Sequence, residues 1–204
     1  MCAVPRVSEE HLAARRRQIL DAARRCFLRN GFHATSMQDV ISEAGLSVGA
    51  VYRYFGSKHE LVTAIAESVL DGADQLFETL ASAEPPLPLI EALDRALAFV
   101  ESQTGPDGVF PLAIQVWAES LRDPALAEFV ARLYGRFRSR FVELARRAQQ
   151  AGELPADADV EAVGAALFGL IPGFALQRIL AAGPDSRTYL DGVRALLAGH
   201  GVRQ

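Results

Sequence analysis

"TSMQDVISEAGLSVGAVYRYFGSK", residues 35–58, is two short helical phrases with a stop between them. Met37, Val40, Ile41 and Ala44 fall at i, i+3, i+4 and i+7, one face of a short helix. Ser36 with Asp39 three residues on reads as a capping box at its start. Gly45 ends this phrase, because glycine tolerates the positive φ of a tight turn. Leu46 is an apolar anchor in the turn, and Ser47 caps a second phrase, Val48 to Phe55. Gly56 stops that one. "SKHE", Ser57 to Glu60, is a further capping box, and it opens a longer helix carrying Leu61, Ile65, Val69, Leu76 and Leu80.

The same punctuation divides the rest of the chain. Upstream, Leu20, Ala23 and Phe27 predict a helix over about His11 to Leu28, with Gly31 as its stop. Downstream, prolines between Glu84 and Pro88 break the pattern, and a fifth helix starts near Leu89. "TGPDG", Thr104 to Gly108, is a turn. A sixth segment holds Phe110, Ile114, Trp117 and Leu121, and in "RDP" Asp123 caps a helix with Pro124 in its first position. Leu126, Val130, Leu133, Phe137, Phe141, Leu144 and Ala148 form the stripe of a long seventh helix, ended by Gly152 and Pro155. An eighth begins in "ADADVEA", whose Asp157, Asp159 and Glu161 suit the positive end of a helix dipole, and a last one follows "GPDS" with Leu190, Val193 and Leu197. No strand alternation or internal repeat appears. The expected fold is all-α with about nine helices.

Composition narrows the classes. Half of the 204 residues are hydrophobic and 23% are charged, as in a globular chain. The net charge of −4 hides an asymmetry. Residues 1–60 carry nine Lys and Arg against six Asp and Glu, whereas the remainder carries twelve against nineteen. A basic end on an acidic body suits an anionic partner at that end. Cys2 and Cys26 have no metal-type spacing, so buried or reduced thiols and a reducing compartment are expected. The start of the chain lacks the apolar core of a signal peptide. Ala162 to Leu176 falls short of the ~20 apolar residues of a spanning helix and reads as a buried helix. His11, His33, His59 and His200 are scattered, and no nucleophile motif or phosphate-cradling glycine loop occurs, so neither an enzyme nor a metal or cofactor is expected.

Two short helices joined by a tight turn have helix-turn-helix spacing. The second must enter a major groove about 12 Å wide, so small leading residues are expected, and Ser47, Val48, Gly49 and Ala50 are small. Gly49 costs a helix roughly 1 kcal/mol against Ala, a cost that close approach to bases would justify. Tyr52, Arg53, Tyr54 and Lys58 supply donors for phosphates. Tyr52 could instead pack inward. Lys58, the only lysine in the chain, stands at a helix start, where a cation is unfavourable unless an anion is near. Arg15, Arg16 and Arg17 form either a phosphate grip or a solvated face.

"GFHATSMQDVISEAGLSVGAVYRYFGSKHEL" resembles the DNA-binding signature of the TetR family of bacterial transcriptional regulators, over about residues 10–65. The resemblance implies a three-helix DNA-binding domain over residues 1–56 and a helical ligand-binding and dimerisation domain over 57–204, its connecting helix beginning at Ser57. It makes Thr35 and Ser36 phosphate contacts, lays Val48 and Gly49 against base edges, and gives Tyr52, Tyr54 and Lys58 to phosphates. Arg53 stands where the family usually has an aromatic, Tyr54 where it has histidine, and Ala50 where it has threonine. Arg53 could read a guanine or clamp a phosphate.

For the body, the resemblance implies a homodimer through the last two helices of each subunit. Here they carry Val163, Leu167, Leu170 and Ile171, then Val193, Leu196 and Leu197, with Gly164 and Gly169 letting backbones approach. It also implies an effector pocket. Candidate lining residues are Phe99, Phe110, Trp117 and Tyr134, then Phe137, Phe141, Phe168 and Phe174, with Gln115, Gln177 and Arg178 as polar companions and Pro172 as a kink. Expected partners are therefore a double-stranded DNA operator, a second copy of the chain and a mainly apolar or aromatic small molecule. No membrane partner is expected, and the location is cytoplasmic. The expected function is ligand-responsive transcriptional repression.

Overall fold

The computed structural model describes residues 9–83, 87–106 and 108–198. Cys2, His200 and residues 84–86 of the proline-rich break lie outside them. The described residues hold nine helices and no strand: α1 (Glu9–Asn30), α2 (Met37–Ala44), α3 (Val48–Tyr52), α4 (Lys58–Ala81), α5 (Leu89–Ser102), α6 (Phe110–Ser120), α7 (Pro124–Gln150), α8 (Val160–Ala181) and α9 (Ser186–Ala198). They form two compact units, one of residues 1–69 with 112–126, the other of 70–111 with 127–204. The packing division thus falls within α4, whereas Ser57 marks only where that helix begins.

In the first unit α1 buries Ile19, Ala22, Ala23, Cys26 and Phe27 along one face. Against it α2 buries Val40, Ile41 and Ala44. Val51 of α3, with Phe55, Leu61, Val62 and Ile65 beyond it, completes the core. Burying a side chain of this size stabilises by roughly 1.5–3 kcal/mol. Two polar links hold α1 to α2: Glu43 accepts from Arg25 at 2.8 Å and from Arg29 at 3.1 Å, and the Gln18 amide donates to the Ala44 carbonyl at 2.8 Å.

The second unit is built on α5, whose Leu93 and Leu97 are 0% and 1% exposed, packed against α8 and α9. Pro88 offers α5 no side-chain cap, and Glu153 from the end of α7 accepts from the Leu89 amide at 2.9 Å instead. Gly164 brings α8 onto α7, since a Cβ there would lie 2.5 Å from the Val142 Cα. Asp74 pairs with both Arg136 and Arg140, joining α4 to α7. Asp159 caps α8, and that helix runs unbroken through Pro172 to Ala181.

Two local expectations shift. The regular helix of α3 stops at Tyr52, and the amides of Arg53, Tyr54 and Phe55 close as turns on the Gly49 and Val51 carbonyls. The buried stripe of α6 is Leu112 and Val116, not the predicted 110, 114, 117 and 121 series, and Leu121 is 87% exposed.

Candidate nucleic-acid interface

The turn between α2 and α3 sets the geometry. Gly45 adopts φ +64, and its amide reaches Ile41 and Ser42 while the Leu46 amide returns to Ile41. This left-handed cap satisfies the last carbonyls of α2 and reverses the chain within two residues. The Ser36–Asp39 capping box is complete in both directions, with Ser36 Oγ also donating to Asp39 at 2.7 Å. That contact holds the Asp39 carboxyl below its usual range. Ser47 Oγ accepts from the Ala50 amide at 3.3 Å. The Ser57–Glu60 box is offset. Ser57 Oγ accepts from the Glu60 amide, but the Glu60 carboxylate reaches Gly56, one residue earlier than the simple pattern.

With Val51 buried, the rest of α3 turns outward. Val48 is 51% and Tyr52 48% exposed, so Tyr52 does not pack inside. Ser36, Ser47, Gly49 and Arg53 are exposed, and Tyr54 is half-buried. A Cβ at Gly49 would meet nothing within 4 Å, so no internal neighbour requires glycine there. Behind this face, Arg16 lies 5.4 Å from the centroid of the Phe55 ring and Arg15 donates to Gln18.

One expected contact is corrected, and a second residue is found already partnered within the chain. Thr35 is 1% exposed, and its hydroxyl donates to the Cys26 carbonyl at 3.2 Å and the Gly31 carbonyl at 2.8 Å. It holds the turn before α2 and cannot offer its side chain to a phosphate. The Lys58 ammonium, expected on phosphate, donates to the Phe32 and His33 carbonyls at 2.9 and 3.0 Å. Gln115 was expected to face a ligand, but its side-chain carbonyl accepts from the Phe32 amide at 2.7 Å. The partners of Lys58 and Gln115 lie far away in sequence, so no local signal could have revealed those two pairings.

In the body, Phe141 and Phe174 are 2% and 0% exposed, and both belong to the core. Tyr134, Phe168, Phe141 and Phe77 form a series of rings with centroids 5.1 to 6.0 Å apart, edge-to-face at both ends and tilted between Phe168 and Phe141, and burial pushes the Tyr134 hydroxyl pKa up. Gln177 is exposed, so it lines no interior. Arg178 donates to the Gly183 carbonyl and pairs with Glu101. Trp117 falls in the first unit, whereas Phe99, Phe110 and Phe137, all half-buried, fall in the second. A surface depression of about 670 Å³ is lined by Gln75, Glu78, Thr79 and Ser82, none of them predicted.

Of the expected dimer residues, Leu167 and Val193 are corrected: at 5% and 6% exposure they belong to the core of their own subunit. Val163, Leu170, Ile171 and Leu197 pack partly against the same core. Gly164 is likewise occupied by α7. The outer face of α8 carries Ala162, Ala165, Ala166, Gly169 and Leu180, and that of α9 carries Leu196.

A capped five-residue helix, seated on a second helix by a left-handed glycine turn and presenting small and hydrogen-bonding residues to solvent, defines a helix-turn-helix DNA-binding protein. Comparison with known proteins agrees. Residues 19–65 match the model of bacterial regulatory proteins, tetR family, and residues 90–201 match that of the BetI-type transcriptional repressor, C-terminal. The uncharacterised HTH-type transcriptional regulator YfiR of Bacillus subtilis is 30% identical over 150 residues, covering 73% of this chain and 72% of that one. The HTH-type transcriptional regulator UidR of Escherichia coli is 28% identical over 185 residues, covering 90% and 91%. The solved structure of Salmonella enterica GusR superposes with a TM-score of 0.76 at 26% identity, covering 95% and 97%. The chain belongs to the TetR family of transcriptional regulators.

Proposed function

We propose that the protein is a cytoplasmic repressor that binds a palindromic operator as a homodimer and is released by a small, mainly apolar or aromatic effector. The observation that carries the DNA-binding part is the outward face of α3. Val48 and Tyr52 are half exposed there, and Gly49 is open on the same helix. On this reading Val48 and Gly49 lie against base edges and Ser47, Tyr52 and Tyr54 donate to phosphates, while Ser36, whose hydroxyl is given to Asp39, holds the start of α2. Arg53 supplies the charge, on a guanine edge or a phosphate. Repression is supported by the kind of protein whose C-terminal model matches residues 90–201.

Dimerisation is supported by α8. This 22-residue helix has a mean hydropathy of 1.6, yet only 28% of its apolar window is buried. By length and composition it could cross a membrane. A second copy of the chain suits it better. Its open side is a run of small residues at i, i+3, i+4 and i+7 from Ala162, which lets another helix come close, and its other side is already packed on α5 and α7. The half-buried aromatics of the second unit, Phe99, Phe110, Tyr134, Phe137 and Phe168, give an effector apolar surface to bind.

Selection of duplexes from a randomised pool by the full-length protein tests the reading. An inverted repeat with two chains bound per site is expected. No enriched sequence, or one chain per site, would contradict it.

A further inference from the structure

The turn between α1 and α2, residues 31–35, is pinned on nearly every polar group it has. The Gly31 amide closes on Phe27, and Thr35 holds Gly31 and Cys26. The Phe32 peptide is gripped from both sides: Gln115 of α6 accepts from its N–H, and Lys58, the first residue of α4, donates to its carbonyl and to that of His33. The Phe32 ring is 5% exposed, 5.3 Å from Phe27, with the Lys58 ammonium 4.9 Å from its centroid and the His59 ring 6.2 Å away. Two further contacts follow the same side of α6 and its C-terminal turn: Glu119 lies 3.7 Å from His33, and the Asp123 carboxylate accepts from His59 Nε2 at 2.8 Å.

A lysine ammonium has three N–H donors. Two are committed to carbonyls here, and the aromatic face takes up part of the charge. That arrangement answers the question of why a cation stands at the positive end of a helix: the oxygens of the turn take the place of an external anion. The turn leads directly into Ser36 and α2, and α2 carries α3. Whatever fixes Phe32 and His33 therefore fixes where the exposed face of α3 points.

We propose that Lys58 is a positioning residue for operator binding, acting with Gln115 through the Phe32–His33 segment, and not a phosphate ligand. The proposal rests on the DNA-binding reading above. Its test uses the full-length protein and a duplex that the wild type selects from a randomised pool. Affinity is measured across a range of KCl concentrations, at a temperature where circular dichroism shows every variant folded. Lys58→Met should weaken binding about tenfold, as loss of a charged hydrogen bond implies, while the slope of log K against log salt stays at the wild-type value. Arg53→Ala is the comparison: removing one phosphate contact from each of the two bound chains should reduce the slope by about 1.8. Lys58→Arg, which can also reach two carbonyls, should restore most of the affinity. Gln115→Leu should weaken binding too, and the double variant with Lys58→Met should lose less than the sum of the two losses, because both act on one segment.

A slope reduced by about 1.8 in Lys58→Met would make the residue a phosphate ligand and overturn the proposal. So would unchanged affinity, or fully additive losses in the double variant. If Lys58→Met does not fold, Lys58→Gln takes its place in the same cycle with Gln115→Leu. A wild type that selects no duplex refutes the DNA-binding reading itself, a distinct result.

Discussion

At the scale of single residues, the turn that leads into α2 depends on a few side chains turned inward. Thr35 is the clearest. Its hydroxyl is buried and donates to two carbonyls that close the turn before α2. Thr35→Val keeps the shape and removes that donor, which leaves the Cys26 carbonyl short of a partner, at a cost of about 1–2 kcal/mol. Chemical denaturation should show the unfolding free energy falling by that amount, as a lower midpoint at an unchanged slope. An unaltered midpoint would mean that the hydroxyl contributes nothing. Cys26 sits beneath the same turn, fully buried, and burial pushes its thiol up, away from the reactive thiolate.

At the scale of elements, α1, α2 and the turn to α7 are tied by carboxylates whose pKa values folding lowers. The Ser36 hydroxyl holds Asp39 down, the Arg25 and Arg29 guanidiniums hold Glu43 down, and His59 holds Asp123 down. A depressed carboxylate binds fewer protons in the folded state than in the unfolded one. Its stabilisation is therefore complete above the ordinary carboxylate range near pH 4 and is lost as pH falls through the lower folded values. Thermal melts should show the midpoint dropping steeply below about pH 4. Glu43→Gln should melt lower than wild type near pH 7 and converge with it as pH falls through the lowered Glu43 range, where the wild-type carboxylate takes up its proton. Parallel curves at all pH values would contradict the assignment.

The elements also differ in how legible they were. The α2–turn–α3 segment could be read because its signals are local: Ser36 with Asp39, Gly45 at positive φ and Ser47 as a cap all act within four residues. The length of α3 was overestimated because the apolar pattern to Phe55 persists through hydrogen-bonded turns that periodicity alone does not distinguish from helix. The face of α8 was not legible at all. A helix that is apolar all round carries no stripe, so Leu167 looked as suitable for a partner as Gly169 does. The roles of Lys58 and Gln115 were hidden for another reason, since their partners lie 26 and 83 residues away.

At the scale of the whole molecule, the account requires two reading heads joined by their bodies, because a single short helix in one groove binds weakly and operators are read as paired half-sites. The open side of α8 should make that joint. Gly169 has nothing within 4 Å of an added Cβ, so Gly169→Arg should leave the subunit folded while placing a charge in the interface. Sedimentation should then give a folded monomer where the wild type gives a dimer, and operator affinity should fall with it. A variant still dimeric at low micromolar concentration would move the interface elsewhere.

The most direct measurement is a titration of the full-length protein on its selected duplex and on an unrelated one of equal length, repeated across salt concentrations. The account predicts affinity falling steeply with salt on both, with the selected duplex preferred by at least about a thousandfold. Equal binding to the two duplexes, or binding indifferent to salt, would contradict the claim that the exposed face of α3 reads DNA.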